Sequence, residues 1–519
     1  METQLVHLQS IKSHQAHKGL IIYPPNQLME IETPRPDGSL GPLYLAAALE
    51  KQGIPTDLLD ASVGPPGVSL EKTFYRLVKQ ANGLIKIGMD FDEIAEYVVK
   101  GGYTFVGLNS NFTPQTNMAF RTAAAIKKAN PQIKVFAGGV NARSLYERFL
   151  KTGNFDAICL TEGELILPRL LKEDPHGIAG VAFLDQNKNI VINHPDITCF
   201  PQELDELPMP AWEKLPFEVY ESLTASAHGT DMTGAQKIER YAPIMTSRGC
   251  IWRCKYCHIS KEKDDIGKYR VHSIQRVVQE VDKLKSLGVK KIFFEDDSLL
   301  AKKERARELF QKIKDKGLTI MNVNGMNLID YFDRTQPLVD GKWVIDVPFL
   351  QLLKDTGFKQ IVFPVESGNQ RILNVYASGK VQHDKMDLLA LMRTMRSMGI
   401  MAPVNMMIGF PDETEEEIQT SIEFGKKLAE AGAPYVTFFV PIPFPGSQLY
   451  DIALEGGYLD KNFDPDMMNW KHPVMKNTIV PPEKLARIRD EANDYVNNKE
   501  FIAQAIKRTA GYRWRSNKD

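Results

Sequence analysis

Three cysteines lie close together in the middle of the chain, at Cys250, Cys254 and Cys257, in the spacing C-x3-C-x2-C. A short apolar run at residues 242–245 predicts a strand that ends just before them. Three thiolates on one compact loop suit a [4Fe-4S] cluster, because each ligates one iron and the fourth iron stays open. An open iron can hold a small chelating substrate.

Two other uses of these thiols stand beside the cluster. Together with His258 the three cysteines have the donor types of a Cys3His zinc site. Adjacent ligands such as Cys257 and His258 rarely both reach one tetrahedral ion, however, and no second ligand pair lies nearby in the sequence. A disulfide needs an oxidising compartment. The cluster is therefore the favoured reading, with the zinc site as its alternative.

Strands and helices alternate after the cysteines. Six strands are predicted, counting the one before the cysteines: 242–245, 291–294, 319–323, 360–365, 402–408 and 435–440. The predicted helices between them are 273–287, 303–316, 349–356, 383–398 and 414–431. Polar or glycine-bearing residues follow the strands, at the rim where (β/α) barrels keep their chemistry. Asp412, Glu413 and Thr414 are the exception, because they are better placed to cap the next helix.

The cysteine spacing, the aromatic Tyr256 before the third cysteine and the order of the strand-end motifs resemble the radical S-adenosylmethionine (SAM) enzymes. The resemblance implies a partial six-stranded barrel in which SAM chelates the open iron. It assigns the acidic run Glu295, Asp296 and Asp297 to the SAM ammonium, and Glu366 and Ser367 to the ribose. It places Gly409 and Val440 beside the adenine, together with Tyr256.

Strands and helices also alternate before the cysteines. The predicted strands are 19–23, 55–60, 104–108, 134–137 and 156–160, with helices at 43–53, 91–99, 118–129 and from about 165. This spacing indicates a parallel sheet covered on both faces. The loops after the strands should open onto a ligand crevice.

These loops resemble the cobalamin-binding domain that precedes the radical SAM domain in one large enzyme class. The resemblance implies cobalamin contacts at Leu40, Gly41, Asn109, Ser110, Thr113, Gly138, Gly139, Glu162 and Gly163. The chain departs from some cobalamin proteins because it has no D-x-H-x-x-G motif; Asp60-Ala61-Ser62 follows the second strand instead. The resemblance therefore implies no histidine ligand to cobalt from that motif. The alternative is a Rossmann-like domain that has lost the cofactor and only packs against the barrel.

The predicted fold class is α/β, in four parts. A Rossmann-like cobalamin-binding domain spans 1–178, a hairpin and Pro-rich linker 179–240, a radical SAM partial barrel 241–458 and a mainly helical C-terminal segment 459–519. In the resembled class the C-terminal segment often closes over the substrate. Trp470 and Met467 are weak candidates for substrate contact, since aromatic and methionine side chains at such spacings more often serve ordinary packing.

The net charge, the apolar runs and the number of cysteines limit which partners and which cellular compartment the sequence predicts. The net charge is −1, from 64 basic and 65 acidic residues, so electrostatics gives no case for nucleic acid. The sequence contains no run of eighteen apolar residues, so no membrane span is predicted, and the N-terminus lacks an apolar signal core. Five cysteines in 519 residues, with Cys159 and Cys199 isolated, fit a reducing cytoplasm.

The resemblance implies a cobalamin-dependent C-methyltransferase that acts on a small molecule and takes electrons from a flavodoxin- or ferredoxin-type donor. SAM would then serve twice, as the radical source and as the methyl donor. One alternative keeps both cofactors but carries out cyclisation or rearrangement without methyl transfer. Another, from a different class, is a non-catalytic, zinc-stabilised binding protein.

Overall fold

The N-terminal sheet carries the first α/β unit. The computed structural model describes residues 17–29, 32, 36, 38–223, 239–259, 268–469 and 472–500. The sheet has the strand order Ile190–Asn193, Val181–Leu184, Ala157–Cys159, Lys134–Gly138, Phe105–Asn109, Gly19–Tyr23, Thr56–Asp60. Five strands are parallel, and the strand order reverses between Gly19–Tyr23 and Phe105–Asn109. Doubly wound sheets bind their ligands at such a switch point.

The N-terminal strands are buried on both faces, as their apolar runs predict. Ile21 and Phe105 pack in the core on one face, while Leu20, Ile22 and Val106 pack in the core on the other, because successive side chains of a strand point in opposite directions. The covering helices are Leu40–Lys51, Phe91–Lys100, Thr116–Ala129, Val140–Ser144, Tyr146–Lys151 and Ile166–Leu170. This arrangement leaves the carboxyl ends of the strands as the edge that is open to a ligand.

Two features of the N-terminal unit differ from the sequence prediction. The hairpin of Val181–Leu184 and Ile190–Asn193 belongs to the sheet, where it pairs antiparallel with Ala157–Cys159, rather than to the linker. A small additional sheet joins Asn26–Leu28, Ile85–Ile87 and Val78–Lys79. Both differences come from antiparallel partners, and a short strand carries little periodicity of its own by which to find its partner.

The linker is anchored to the second unit by a buried tryptophan. Trp212 is fully buried, and its indole Nε1 donates a hydrogen bond to the Pro243 carbonyl at 3.0 Å, in the first barrel strand. A short helix, Phe217–Ser222, follows it. Farther along, the Arg276 guanidinium donates to the Leu207 carbonyl at 2.8 Å. The described part of the linker after the hairpin, residues 194–223, is thus packed against the barrel domain.

The second unit is an open run of six parallel strands. Their order is Tyr241–Ile244, Lys291–Phe294, Thr319–Asn322, Phe358–Ile361 continued by Phe363–Glu366, Val404–Met407 and Val436–Phe439. The fourth strand is interrupted at Val362, whose N–H donates to the Asn322 carbonyl at 3.1 Å. In the described part of the chain the first and last strands pair on one side only, so the barrel is partial, as predicted.

Helices cover the outside of this run. They are Ile274–Ser286, Lys303–Ile313, Val347–Thr356, Gln370–Tyr376, Leu388–Ser397 and Glu415–Ala431. Two short antiparallel pairs interrupt the alternation: Ser247–Arg248 with Arg270–Val271, and Phe332–Asp333 with Val344–Ile345. The first of these pairs lies directly beside the cysteine loop and fixes the direction in which the loop leaves the first strand.

The C-terminal segment returns to the N-terminal unit. After the helix Gln448–Glu455, the buried Asp466 accepts hydrogen bonds from the backbone N–H and the side-chain amide of Asn117, at 3.2 and 2.7 Å. Arg148 donates to the carbonyl of Phe463 at 2.8 Å. The helix Pro482–Val496 then packs on the last barrel strand. None of the helices in the described ranges has the length and apolar content that crossing a bilayer would need.

Candidate functional site

The cysteine loop is fixed at the carboxyl edge of the first barrel strand. None of its three thiols forms a disulfide; Cys254 is buried, and Cys250 and Cys257 are half-buried. Three backbone contacts hold the loop: Lys255 N–H to the Tyr376 carbonyl at 2.8 Å, Arg253 N–H to Ser378 Oγ at 2.8 Å, and Leu449 N–H to the Lys255 carbonyl at 2.7 Å. These contacts come from segments that follow two different barrel strands.

The thiol arrangement fits a multi-iron cluster better than a single ion. Within the described ranges, no three His, Cys, Asp or Glu side chains converge closely enough to hold one metal ion. The thiolates of a [4Fe-4S] cluster bind different irons and need not converge. Burial, and after it the Cys254 charge, raise the pKa of the Cys257 thiol to about 12, so these two side chains are close enough to interact. The geometry gives no support to the zinc alternative.

Two residues of the acidic run hold the cysteine loop in place. Asp296 is buried and accepts hydrogen bonds from the Thr246 N–H at 3.0 Å, the Thr246 hydroxyl at 2.7 Å and the Ser247 hydroxyl at 2.6 Å. Asp297 accepts from the Gly249 N–H at 2.8 Å, and burial raises its pKa to about 6. The half-buried Glu295 follows the same strand. That these carboxylates meet the SAM ammonium stays a prediction.

The side chains of the neighbouring residues Glu366 and Ser367 contact different parts of the barrel. Glu366 ends its strand with a left-handed φ of 68°, and its carboxylate pairs with the Lys380 ammonium at 2.7 Å. Ser367 is fully buried; its hydroxyl lies 3.0 Å from the Ser421 hydroxyl and accepts from the Asn369 N–H. The Ser367 side chain therefore holds the turn against the helix Glu415–Ala431. Ribose binding by Glu366 and Ser367 stays a prediction.

Two of the residues predicted to border the adenine, Gly409 and Val440, line a small pocket that is partly open to solvent. The lining residues are Gly409, Val440, Pro441, Pro473, Val474, Met475, Thr478 and Leu485. Gly409 has a φ of 95°, and a Cβ there would meet the Leu485 side chain at 2.2 Å. Tyr256 lies nearby, with its ring 6.1 Å from that of Phe410. Burial, and then the Glu366 and Cys254 side chains near its hydroxyl, raise the pKa of Tyr256 well above its ordinary value, so the phenol stays neutral beside the cysteine loop.

The segment after Phe410 caps a helix, as predicted. Thr414 is the N-cap of Glu415–Ala431 and forms a capping box with Glu417. Glu413 is fully buried and accepts from the N–H groups of Gly409 and Phe410, at 2.6 and 3.0 Å. Burial raises the pKa of Glu413 to about 8, despite those two hydrogen bonds. Glu413 thus shapes the turn that carries Gly409.

This buried carboxyl predicts a pH-dependent stability. The folded protein holds the Glu413 proton up to about pH 8, whereas an unfolded glutamate releases it near 4.5. The stabilisation is therefore complete below pH 4.5 and is lost as the pH rises through 8, with a slope of up to about 1.4 kcal/mol per pH unit. We expect Glu413→Gln to flatten this fall, measured as thermal midpoints at pH 5 and pH 8. Glu416→Gln, on the exposed side of the same helix, is the control; an unchanged pH dependence in Glu413→Gln would contradict the assignment.

A second cavity lies at the switch point of the N-terminal sheet. It is small and partly open to solvent, and it is lined by Pro24, Pro25, Asn26, Asn109, Ser110, Asn111, Phe112 and Gln115. Phe112 is exposed there although it is a large apolar side chain. Asn109 and Ser110, two of the predicted cobalamin contacts, therefore lie where a doubly wound sheet binds its ligand. Phe112 and Gln115 are additional lining residues that the sequence pattern did not single out.

The other predicted cobalamin residues lie around the same edge. Gly139 has a φ of 96°, and a Cβ there would meet Asn111 Oδ1 at 2.4 Å, so the turn after Gly138 requires glycine. Thr113 is buried, and its carbonyl accepts from the Thr116 hydroxyl. Leu40 begins the first helix, where it is buried, while the space beside Gly41 is open. As cobalamin contacts, these residues stay predictions.

Ser62 stands where the missing D-x-H-x-x-G motif would place its histidine. Its backbone N–H and hydroxyl donate to Asp60, at 2.9 and 2.6 Å, and the Tyr220 hydroxyl donates to the other Asp60 oxygen at 2.7 Å. Both Asp60 and Ser62 are buried. This position therefore offers no ring nitrogen to a metal.

Glu162 lies at the contact between the two units, while Gly163 packs against Leu45 of the first helix; as cobalamin contacts, both stay predictions. Arg248, two residues before the first cysteine of the loop, pairs with Glu162 at 2.8 Å and with Glu164 at 2.7 Å. Arg270 also pairs with Glu162, and the Arg248 guanidinium lies 4.8 Å from the Tyr44 ring centre. We name the group Glu162, Glu164, Arg248 and Arg270 the interdomain clamp.

The two substrate candidates remain predictions. Met467 is half-buried at the end of the short turn Pro465–Met467, next to the contact of Asp466 with the N-terminal unit. Trp470 lies outside the described residues. Two residues that sequence reasoning did not select are close to the cysteines: Arg248 and Lys380. No local pattern marks either one, because their partners lie far away in the sequence.

Comparison with known proteins identifies both units. Residues 244–425 match the radical SAM superfamily, and residues 38–171 match the B12 binding domain. The cysteine loop lies in the first of these regions and the switch-point cavity is lined largely by residues of the second, so the chain contains a radical SAM region and a B12-binding region.

Its relatives cover most of the chain. It is 28% identical over 448 residues to an uncharacterized methyltransferase of Pyrococcus horikoshii, covering 83% of this chain and 87% of that protein. It is 26% identical over 492 residues to cytidylyl-2-hydroxyethylphosphonate methyltransferase of Streptomyces wedmorensis, covering 88% and 85%. The fold is that of the radical SAM methyltransferase TsrM of Kitasatospora setae, solved with cobalamin and a [4Fe-4S] cluster, with a TM-score of 0.60, 18% identity and coverage of 85% and 79%.

Proposed function

We propose that this protein is a cobalamin-dependent radical SAM methyltransferase that methylates an unactivated carbon of a small molecule. The observation that carries the proposal is the meeting of two ligand edges: the carboxyl edge of the N-terminal sheet lies against the cysteine loop of the barrel. The interdomain clamp joins these edges directly. Two relatives that match more than four fifths of the chain are methyltransferases by name.

Arg143 supports the same juxtaposition. It belongs to the helix that follows Gly139 in the N-terminal unit. Burial lowers its pKa to about 10, against the opposing effect of the Glu162 and Asp297 carboxylates, so it lies near a carboxylate of each unit. His258, which follows the third cysteine, is half-buried near Arg143, and burial and that charge lower its pKa to about 3. Arg143 of the N-terminal unit thus lies close to the cysteine loop of the barrel.

In this proposal the cysteines 250, 254 and 257 hold the cluster and the switch-point cavity holds part of cobalamin. When bound, the cluster with SAM supplies radical hydrogen abstraction, and cobalamin supplies a methyl carrier. The chain's own contribution is to position and to shield. Val440 and Pro441 of the barrel and Pro473 and Met475 of the C-terminal segment line one pocket, so these two segments together form that edge.

The proposal includes two further expectations. A one-electron donor of the flavodoxin or ferredoxin type reduces the cluster. The protein works in a reducing cytoplasm, because three of its five cysteines must stay reduced, rather than form disulfides, in order to bind iron.

Labelled SAM tests the proposal. Protein reconstituted anaerobically with iron, sulfide and cobalamin is incubated with methyl-labelled SAM, titanium(III) citrate and the low-molecular-weight fraction of a cell extract. We expect S-adenosylhomocysteine and 5′-deoxyadenosine together, with label in a carbon–methyl group of one metabolite. Formation of 5′-deoxyadenosine without S-adenosylhomocysteine would overturn methyl transfer in favour of cyclisation or rearrangement. Zinc in place of iron and sulfide would overturn both.

A further inference from the structure

A buried ion pair lies against the cysteine loop. The Lys380 ammonium is 2.7 Å from the Glu366 carboxylate, and each side chain is only 10% exposed. Glu366 ends the fourth barrel strand, and Lys380 lies four residues after the helix Gln370–Tyr376. A buried ion pair is costly to desolvate and is weak evidence for stability alone. Its position beside the cysteine loop therefore indicates a functional role for this ion pair.

The segment that carries Lys380 is bonded to the cysteine loop. Lys255 donates its N–H to the Tyr376 carbonyl, and Arg253 donates its N–H to the Ser378 hydroxyl, both at 2.8 Å. These contacts flank Cys254 on either side. Lys380 is buried close enough to Cys254 and Cys250 for its charge to interact with theirs. The ammonium is thus held beside the thiols by the backbone and not only by Glu366.

Backbone strain is concentrated at the same place. Five non-glycine residues in the described ranges have a positive φ, and two of them are Glu366, at 68°, and Ser378, at 58°. Such conformations are strained for residues that carry a side chain, and they tend to cluster at functional sites. Both strained residues position this one ion pair, since one supplies the carboxylate and the other turns the chain toward Lys380.

We propose that Lys380 sets the reduction potential of the iron–sulfur cluster bound by Cys250, Cys254 and Cys257. One-electron reduction adds a negative charge to the cluster, and a fixed ammonium nearby stabilises the reduced form in a low-dielectric surrounding. Glu366 opposes this effect, so the pair adjusts the potential rather than only raising it. The proposal rests on the cluster but not on methyl transfer.

A redox titration of three variants tests this inference. Protein reconstituted with the cluster, without SAM or cobalamin, is titrated with titanium(III) citrate, and the reduced cluster is counted by electron paramagnetic resonance. For Lys380→Met we expect the ratio of reduced to oxidised cluster at a fixed potential to fall at least tenfold, which is about 59 mV toward more negative potential. For Glu366→Gln we expect a shift in the opposite direction. Lys380→Arg should stay near the parent protein.

Lys303→Met is the matched control. Lys303 pairs with Asp346 at 2.8 Å, with similar burial, but lies in the helix layer against Phe349. We expect no shift there. Unchanged potentials in Lys380→Met and Glu366→Gln would overturn the proposal and leave methyl transfer standing, and so would shifts of both in the same direction, which would indicate general loosening. If Lys380→Met retains no iron, the direction of the Glu366→Gln shift decides.

Discussion

Cys254→Ser is expected to lose the cluster and all cleavage of SAM. Cys254 is the most buried of the three thiols, at 6% exposure, and the backbone on both sides of it is bonded to other segments. A serine hydroxyl is not ionised at neutral pH and lacks the soft thiolate that iron–sulfur clusters select. Iron and acid-labile sulfide per chain should fall to the background of protein that was not reconstituted, and 5′-deoxyadenosine should fall with them.

Cys199→Ser provides the control for this experiment. Cys199 is also buried, but it packs in the core of the N-terminal unit, far along the chain from the cysteine loop, with its Sγ 3.8 Å from the Asp196 carboxylate. We expect this variant to keep four irons and full SAM cleavage. Retention of a complete cluster by Cys254→Ser would contradict the assignment of the three ligands.

Arg248→Met is expected to lower stability by about 3–5 kcal/mol, because removing one partner of a buried ion pair strands the other charge. Glu162 would keep Arg270, but Glu164, whose side chain is 6% exposed, would lose the cation that it meets at 2.7 Å. The loss falls on the contact between the two units. Thermal unfolding should therefore shift to lower temperature, and limited proteolysis should cut the 194–240 linker faster than in the parent protein.

Arg371→Met is the matched comparison. Arg371 also pairs with two carboxylates, Asp412 at 2.8 Å and Glu417 at 2.6 Å, but its side chain is 41% exposed. Exposed pairs contribute about 0–1 kcal/mol. If Arg248→Met and Arg371→Met lowered the free energy of unfolding equally, burial of the interdomain clamp would not increase its contribution to stability. If the double variant Arg248→Met with Glu164→Gln, which removes both charges, regained stability, the result would support the explanation that Arg248→Met leaves the Glu164 charge unpaired.

Periodic features of this fold were predictable from the sequence. The six barrel strands and the parallel strands of the N-terminal sheet were found because buried strands are apolar runs that end in glycine or polar residues. The capping box at Thr414 was also readable, since its two residues are three positions apart. The order of the motifs then carried the assignment of both units, which the family matches confirm.

The partners of polar side chains were not predictable in the same way. Asp296 and Ser367 were selected as ligand contacts from their place after a strand, yet their side chains bond Thr246 and Ser421. Glu162 was selected for the same reason and pairs with Arg248, 86 residues away. A strand end predicts that a side chain is near the active edge, but which way it turns depends on segments that only the folded chain brings together.

The contact of Asp466 with Asn117 has a consequence for biosynthesis. The two residues are 349 positions apart, so their hydrogen bonds cannot form until the barrel has been synthesised and Asp466 has left the ribosome. Because N-terminal domains generally fold first during synthesis, the face around Asn117 is left uncovered while the barrel is still being made. The nascent protein therefore passes through a stage in which its first domain is folded and that face is still accessible, and the late-arriving segment closes it afterwards.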